Sequence, residues 1–280
     1  MKKFFLAILL ILISLTSYSQ FLEKSELGVI VGGGNYIGDI NPKYNFYNTK
    51  FMIGGIYRYN FNPRWVFKGS AMFGRVGAYD SDFEFNIRNL SFESNISEFA
   101  ATCEFNFFDY QTGSRKHRLS PYLFAGVGVF LMNPKTEIYN PLTLKKEWVE
   151  LQPLRTEGQG MEGYNDPYSL TQISIPFGLG LKFSVNSYVC LGLEWGLRYT
   201  FTDYMDDISG NYVARDEIAL WTNELAAACS DRTNEIATGV YNEAGTMRGN
   251  PKKNDLYQFF GLTVTTKLDF FRTRVKCDTF

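Results

Sequence analysis

Apolar and polar side chains alternate with a period of two along most of the chain beyond residue 25, a pattern typical of β-strands that bury one face. Residues 172–185 show it most clearly, because odd positions carry Ile, Phe, Leu and Val while even positions carry Gln, Ser, Pro, Gly and Lys. The same alternation recurs in seven further stretches. The pattern therefore predicts eight strands, at 26–36, 50–60, 64–77, 92–108, 119–131, 172–185, 189–201 and 256–270.

The connections between these strands are alternately short and long. Three are short, at 61–63, 109–118 and 186–187, and the four between them are longer, at 37–49, 78–90, 132–169 and 203–254. Bacterial outer-membrane barrels have an even number of strands, short periplasmic turns and longer outer loops. Only a closed sheet satisfies every backbone group of a strand in lipid.

A soluble β-sandwich would also alternate. Two features weigh against it: the polar face carries full charges and many glycines, and aromatic residues gather near both ends of the strands. Aromatic girdles at both interfaces are expected of a membrane barrel. The sequence therefore predicts an all-β fold, an eight-stranded antiparallel transmembrane outer-membrane β-barrel with two long extracellular loops and both termini in the periplasm.

The first residues have the organisation of a secretory signal peptide. Lys2 and Lys3 precede an apolar run from Phe4 to Ile13, and small and polar residues follow up to Ser19. The run is too short to span a membrane comfortably, since a spanning helix needs about 20 apolar residues. We expect residues 1–19 to be removed and residues 20–280 to form a single barrel domain.

Composition narrows the possible functions. The chain has 28 Lys and Arg against 29 Asp and Glu, a formal net charge of −1, which argues against nucleic acid as the main partner. His117 is the single histidine, so sites built on several histidines are excluded. Because no Ser/His or paired-carboxylate constellation falls at the predicted outer rim, we expect no enzymatic activity, no cofactor and no small-molecule substrate.

The polar face of the predicted strands carries as many acids as bases. An eight-stranded barrel is just wide enough for its interior to be filled by side chains, so charges placed there must pair. We therefore expect a plugged lumen with an ion-pair network made of Glu26, Arg58, Lys68, Glu98, Glu104, Lys182, Glu194, Arg198, Lys267 and Asp269.

The longest loop, 203–254, offers a weak metal candidate and a helix. Asp203, Asp206 and Asp207 crowd its start, and oxygen-rich clusters can hold Ca²⁺, although such acids more often cap turns. Further along, Ile218, Trp221, Leu225 and Cys229 recur at helical spacing. This spacing predicts a short amphipathic helix that lies over the barrel mouth.

The predicted periplasmic segments are basic. The turn 109–118 and the tail 272–280 each carry three cations against one acid, which would suit an acidic or lipid-anchored partner. These cations are the predicted periplasmic contact residues, Arg115, Lys116, Arg118, Arg272, Arg274 and Lys276. Cys277 lies in the same tail, whereas the other three cysteines fall in strands or in an outer loop. A lone thiol in an oxidising compartment predicts an intermolecular disulfide.

Several stretches of the chain, taken in order and spacing, resemble the PorG family, the small outer-membrane barrels of the Bacteroidetes type IX secretion system. The resemblance extends over nearly the whole of residues 20–280, and no single motif is diagnostic. The stretches that carry it are Asn35–Pro42, Asn62–Trp65, Arg88–Phe92, Glu104–Phe108, Pro121–Phe124, Leu151–Leu154, Thr156–Gln159, Ile175–Gly178 and Phe201–Asp207.

The resemblance implies a non-enzymatic part of a protein-export machine. Such a barrel would tie a periplasmic ring, built from a lipoprotein (PorK) and its partner ring protein (PorN), to the outer membrane and its lipids. It would also make the ring lipoprotein the disulfide partner of Cys277. An alternative stays open at this point: a membrane stabiliser or adhesin of the OmpA or OmpX kind, which acts through its extracellular loops.

Overall fold

The computed structural model describes residues 24–42, 46, 48–82, 87–140 and 143–268. The predicted signal peptide at 1–19 lies outside these residues. None of the helices in the described ranges is long and apolar enough to cross a membrane. The strands and helices found there are β1 (Ser25–Ile37), β2 (Lys50–Asn60), β3 (Trp65–Tyr79), β4 (Ser91–Asn106), β5 (Leu119–Leu131), β6 (Pro134–Asn140), β7 (Lys145–Glu150), β8 (Thr171–Ser184), β9 (Val189–Thr200), α1 (Arg215–Trp221), α2 (Glu224–Ser230) and β10 (Leu256–Lys267).

Eight of the strands close into a barrel. β1 pairs with β2 on one side and with β10 on the other, and the ring continues through β3, β4, β5, β8 and β9, every pair antiparallel. The predicted eight-stranded antiparallel barrel is confirmed, and the strand bounds lie within a few residues of the predicted ones. Closure leaves these strands without a free edge.

The two faces of the barrel wall differ as the alternation predicts. In β8, odd-numbered side chains such as Leu179 are exposed, while even-numbered ones such as Lys182 are buried. The outward side chains form an apolar belt around the wall. Its exposed members include Leu27, Val29, Ile53, Phe67, Phe73, Phe99, Leu123, Val127, Ile173, Phe177, Leu179, Leu191, Leu193, Leu262 and Val264.

Asparagine side chains build the two tightest turns at the short-turn end. The Oδ1 atom of Asn62 accepts hydrogen bonds from the backbone amides of Arg64 (2.9 Å) and Trp65 (2.9 Å). Between β8 and β9, Asn186 Oδ1 accepts hydrogen bonds from the backbone amides of Tyr188 (2.8 Å) and Val189 (2.9 Å). Such a side chain replaces backbone acceptors that a two- or three-residue loop cannot supply.

The connection 132–169 contains a hairpin that the sequence analysis missed. β6 follows β5 after two residues and pairs with the beginning of β4, where Glu93 lies opposite Lys135. β7 then pairs with β6 and returns toward the barrel. The hairpin extends the wall beyond the apolar belt on one side. Its apolar positions are too few to give a clear period of two, which is why the pattern did not predict it.

The loop 203–254 holds two short helices, not the single amphipathic helix predicted. α1 ends at Trp221, and Asn223 begins α2 by accepting a hydrogen bond from the Ala226 amide at 2.8 Å. Ile218 and Leu225 are buried beneath the loop, but Trp221 is 51% exposed. The break turns Trp221 away from the face that the spacing assigned to it.

Candidate functional site

The centre of the lumen holds a compact cluster of five charged side chains from five strands. The Glu104 carboxylate forms ion pairs with Arg58 Nε at 3.2 Å and with Lys68 Nζ at 3.4 Å, and it also pairs with Lys182. The Glu194 carboxylate forms ion pairs with Lys68 Nζ at 2.7 Å and with Arg58 Nη2 at 4.0 Å. All five are at most 4% exposed, so each charge depends on the others for its solvation.

Aromatic rings complete the filling of the lumen around this cluster. The Tyr122 hydroxyl donates to Glu194 at 2.8 Å, and Lys182 Nζ lies 4.4 Å from the centroid of the Tyr122 ring. Lys68 Nζ lies 4.2 Å from the Phe124 ring. Glycine on β8 makes this room, because a Cβ at Gly180 would lie only 2.4 Å from the Tyr122 ring. Side chains therefore fill the centre of the lumen.

A second ion pair lies nearer the long-loop end. Arg198 Nε is 3.2 Å from Glu98 Oε2, and the Tyr257 hydroxyl donates to the same carboxylate. Arg198 also donates to the Gly196 carbonyl at 3.0 Å. Arg198, Glu98 and Tyr257 thus satisfy one another, as buried charges require.

Two further predicted lumen residues are placed differently. Glu26 is buried, but it accepts hydrogen bonds from Thr112 (2.6 Å), Thr265 (2.8 Å) and Asn60 (3.2 Å), and no cation among the described residues lies within ion-pair distance. Lys267 is half-buried and has no carboxylate partner in the part of the chain that the structure describes. Asp269 lies outside that part.

The turn 109–118 closes the short-turn end of the lumen. Tyr110 and Thr112 are buried, and the amide of Gly113 donates to Ser184 Oγ at 2.8 Å. The rest of the turn faces outward, with Arg115, Lys116 and Arg118 all exposed. The other predicted contact residues, Arg272, Arg274 and Lys276, lie outside the described residues.

The long loops fold together into a cap over the other end, and Arg248 is at its centre. Its Nη1 donates to Glu157 Oε1 at 2.8 Å and to the Asp207 carbonyl at 2.6 Å, while Nε donates to the Ser230 carbonyl at 3.1 Å. Glu157 in turn accepts the amides of Ser209 and Gly210. One buried guanidinium therefore fastens three separate loop segments.

A second arginine joins the cap to the long-loop end of β3. Arg88 makes a two-pronged pair with Asp80, at 2.8 Å and 2.7 Å, and donates to the Arg248 carbonyl at 2.7 Å. The Leu90 amide donates to the same aspartate at 2.8 Å. Bidentate pairs of this kind fix orientation as well as charge, so Arg88 and Leu90 are held in one position against Asp80.

The cap also contains two carboxyl groups that share one hydroxyl. The Tyr36 hydroxyl oxygen lies 2.5 Å from Asp206 Oδ2 and 2.7 Å from Asp255 Oδ1. A phenol has one proton to donate, so one of the two carboxyls must carry a proton of its own. Burial raises the pKa of both Asp206 and Asp255, and a nearby carboxylate adds to the rise in each case, Asp255 for Asp206 and Asp203 for Asp255.

The three aspartates of the calcium hypothesis do not converge. Asp207 accepts from Thr156 (2.5 Å) and Tyr168 (2.7 Å), which is away from the Tyr36 hydroxyl that Asp206 binds. Burial raises the pKa of Asp203 to about 7 and that of Asp207 to about 6. Across the described ranges, no three acidic, histidine or cysteine side chains are arranged to hold a metal ion. The hypothesis therefore has no support in the structure.

Sequence reasoning did not identify the residues that hold the cap together, namely Tyr36, Glu157, Arg248 and Asp255. One signal was available, because Thr156–Gln159 belongs to the stretches that carry the family resemblance and contains Glu157. No spacing rule links it to Arg248, which is 91 residues away.

The cysteines within the described residues are unpaired. Cys103 is exposed on the outer wall, Cys190 is buried on the lumen side, and Cys229 is buried in α2. The first two placements agree with the strand alternation. Cys277, the predicted partner disulfide residue, lies outside the described residues.

Solved structures with a similar fold are small bacterial barrels. Neisserial surface protein A is 12% identical with a TM-score of 0.41, covering 87% of this chain and 97% of that chain. Ail, the attachment invasion locus protein of Yersinia pestis, is 12% identical with a TM-score of 0.39, covering 86% and 96%. The N-terminal barrel domain of Pseudomonas aeruginosa OprF is 11% identical with a TM-score of 0.36, covering 87% and 97%.

Sequence comparisons give one family. No curated protein matches the sequence. The model of a family described as a domain of unknown function, DUF6089, matches residues 2–147, which is more than half of the chain. This protein therefore belongs to the DUF6089 family.

Proposed function

We propose that this protein is an integral outer-membrane barrel without enzymatic activity that anchors the periplasmic ring of a type IX secretion machine. The observation that carries the proposal is the group of exposed cations on the turn 109–118 at the short-turn end, Arg115, Lys116 and Arg118. The family resemblance of the sequence supplies the kind of machine. The ring lipoprotein and its partner ring protein are the proposed binding partners.

The membrane placement is supported by the outer wall. Exposed apolar side chains cover it on all eight barrel strands, including Leu193 (56% exposed) and Leu262 (60%), which are direct cross-strand neighbours. A surface of this kind is stable in hydrocarbon and costly in water. In the proposed orientation the short turns face the periplasm and the cap faces outward.

A structural role is supported by the packed interior. The lumen is blocked by the ion cluster around Glu104 and by the rings of Tyr122 and Phe124. Passage of a solute would require this buried cluster to separate, which is energetically costly. The barrel is better suited to anchoring than to transport.

The basic rim supplies the surface for an acidic partner. Arg115, Lys116 and Arg118 have no ion-pair partner among the residues described, and all three are exposed. The nearby Arg64 is already paired with Asp109 at 2.5 Å. Like charges left together on a surface attract a partner of opposite sign and raise its association rate.

Recovery of ring proteins with the affinity-tagged full-length chain tests the proposal. Wild type, solubilised from cross-linked outer membranes, should recover the ring lipoprotein and its partner. A variant with Arg115, Lys116 and Arg118 changed to Gln should recover much less of both. The matched control changes Lys252 and Lys253, which are exposed on the cap, to Gln and should behave as wild type. Absence of ring proteins from the wild-type sample would reject the anchoring role.

Cys277 gives a second, covalent readout of the same partner. If the tail lies beside the ring lipoprotein, its thiol should form a disulfide there in the oxidising periplasm. A non-reducing gel of whole membranes should then show a high-mass band that vanishes in Cys277→Ser and persists in Cys229→Ser. If the wild-type protein runs at monomer mass without reductant, there is no disulfide, and any attachment to the ring must be non-covalent.

A loop-mediated role as stabiliser or adhesin is the second candidate, and the cap favours it. Leu220 (89% exposed) and Trp221 (51%) stand on a framework fixed by Arg248. Changing both to Ser should reduce attachment of cells to surfaces if this candidate is right, and should leave ring recovery unchanged. If cells with this double variant still attach to surfaces and the variant still recovers the ring proteins, the anchoring role is favoured.

A further inference from the structure

An outward-facing pocket lies where the β6–β7 hairpin meets the barrel wall. It has a volume of about 300 Å³ and is lined by Arg75, Glu93, Asn95, Lys135 and Trp148. Arg75 and Asn95 are cross-strand neighbours on β3 and β4, and Lys135 lies opposite Glu93 at the start of β6. The pocket therefore combines residues of the wall with residues of the hairpin.

Donor groups without partners dominate the lining. Arg75 donates no hydrogen bond to any described residue, its side chain is 65% exposed, and its only charge contact is with Glu93 Oε2 at 4.0 Å. The side-chain amide of Asn95 and the indole of Trp148 also have no hydrogen-bond partner in the described part of the chain. Lys135 contributes an ammonium that is held on one side by Glu150 at 2.8 Å.

The one acid in the lining is already neutralised. Glu93 Oε1 lies 2.6 Å from Lys50 Nζ and accepts a hydrogen bond from the Tyr79 hydroxyl at 2.6 Å. Because Lys50 matches Glu93, the charge of Arg75 is left for a ligand, while Lys135 offers the ammonium hydrogens that its pair with Glu150 leaves free. A pocket with two cations and two neutral donors selects an anion with several acceptor oxygens.

The height of the pocket on the wall identifies the source of the anion. Arg75 is two residues beyond Phe73, whose ring packs edge-on against Phe99 at 6.0 Å, and both rings are exposed on the apolar belt. Two residues along a strand advance about 7 Å. The pocket thus lies just outside the aromatic edge of the belt, at the depth of lipid headgroups.

We propose that this pocket binds the phosphate of a lipid A-type glycolipid in the outer leaflet, with the acyl chains lying along the belt below Phe73 and Phe99. The proposal rests on the outer-membrane placement given above. Arg75 and Lys135 provide the charge, Asn95 and Trp148 provide the directional donors, and the hairpin holds the headgroup against the wall.

Native mass spectrometry of the full-length protein in detergent, with added lipid A, tests the proposal. Wild type should retain lipid A and should not retain its dephosphorylated form. Arg75→Gln and Lys135→Gln should each lower retention about fivefold, the effect of one basic residue at a lipid surface. Arg64→Gln, at the opposite rim, is the matched control and should retain lipid A as wild type does. Both pocket side chains face outward, so the folded barrel should persist.

Two outcomes would overturn the assignment. Equal retention by wild type and by the Arg75→Gln/Lys135→Gln double variant would show that the pocket is not the site. Complete competition by millimolar inorganic phosphate would show that it recognises free phosphate instead of lipid. Trp148 supplies a second measurement, since a change of tryptophan fluorescence on binding should be absent in Trp148→Phe. Failure of ring recovery would reject the anchoring role and leave this result intact, because the pocket is at the other end.

Discussion

The lumen and the cap are both polar interiors, but they balance their charges differently. Among the described residues the lumen buries four acids and four bases, Glu26, Glu98, Glu104, Glu194, Arg58, Lys68, Lys182 and Arg198. Among the same described residues, the cap buries seven acids against one fully buried base, Arg248. The acids are Asp80, Glu157, Asp203, Asp206, Asp207, Asp231 and Asp255.

This difference indicates how each region is held. Ion pairs between acids and bases on different strands tie the lumen together. The cap relies on backbone amides, on a shared Tyr36 hydroxyl and on carboxyls that keep protons, as the raised pKa values of Asp206 and Asp255 indicate. We therefore expect the barrel to be insensitive to pH and the cap to be sensitive to it.

Removal of the Glu104 carboxylate from the centre of the lumen should lower the stability of the barrel more than any other change considered. Glu104→Ala leaves Arg58, Lys68 and Lys182 with Glu194 alone, so two buried cations lose their main partner. Loss of one member of a buried network typically costs about 3–5 kcal/mol. Unfolding in urea, measured in lipid vesicles, should show a lowered midpoint for the whole barrel. The matched control, Thr263→Ser, removes one lumen methyl and no charge, and should cost about 1 kcal/mol or less.

Loss of the cap arginine should have a large effect that stays local. Arg248→Met leaves Glu157 buried without its cation and frees the Asp207 and Ser230 carbonyls. The expected cost is again about 3 kcal/mol, but it falls on the loops only. Limited proteolysis should cut residues 203–255 while the barrel strands resist. Equal loosening of cap and barrel would show that the two regions form one cooperative unit.

The cap should open more readily as pH rises. The pKa of Asp203 is about 7 and that of Asp207 about 6, both raised by burial above the value of an unfolded chain. A raised pKa contributes stability that is fully present below about pH 4 and is lost as pH rises through the folded value. Hydrogen exchange of cap amides, corrected for the intrinsic rate, should therefore accelerate between pH 5 and 8.

The size of this pH effect follows from the pKa shifts, and the Asp203→Asn variant shows the share of one residue. One pKa unit corresponds to about 1.4 kcal/mol, or about tenfold in the opening equilibrium. Asp203→Asn removes one titrating group and should flatten the profile, whereas barrel amides should show no pH dependence in either protein. A cap that is equally protected at pH 5 and pH 8 would contradict the contrast drawn between the two regions.

The barrel was predictable from sequence because its constraints are local and repeated. A strand with one apolar face shows a period of two wherever it lies, and the order of short and long connections fixes which ends meet. The lumen followed from the same alternation, since residues on the polar face of a narrow barrel must meet. The pairs at Glu98 and Glu104 belong to the set so predicted.

The cap was not predictable for the opposite reason. Its contacts join residues far apart in sequence, such as Tyr36 with Asp206 and Glu157 with Arg248, and no periodicity encodes them. The three aspartates at 203–207 suggested a shared ligand, yet the left-handed backbone at Asp207 (φ 67°) directs neighbouring carboxyls to different partners. Glu26 shows the same limit inside the barrel, because it accepts hydrogen bonds from Thr112 and Thr265: alternation gives the face but not the partner.

The smallest expected effect concerns Asn223, which lies between the two helices of the cap and begins α2. Barrel strands are held by neighbours on both sides, whereas α2 depends on its own first turn, where Asn223 accepts the Ala226 amide at 2.8 Å. Asn223→Ala removes this cap at a typical cost of about 1 kcal/mol, enough to raise local opening about fivefold. Hydrogen exchange at Ala226 and Ala227 should report it without a shift in barrel unfolding. Thr222→Ala is the matched control, because Thr222 is half-exposed and its side chain makes no hydrogen bond with any described residue. If both variants exchange alike, α2 is held by the packing of Leu225 and Cys229 under the cap and not by its N-terminal residue.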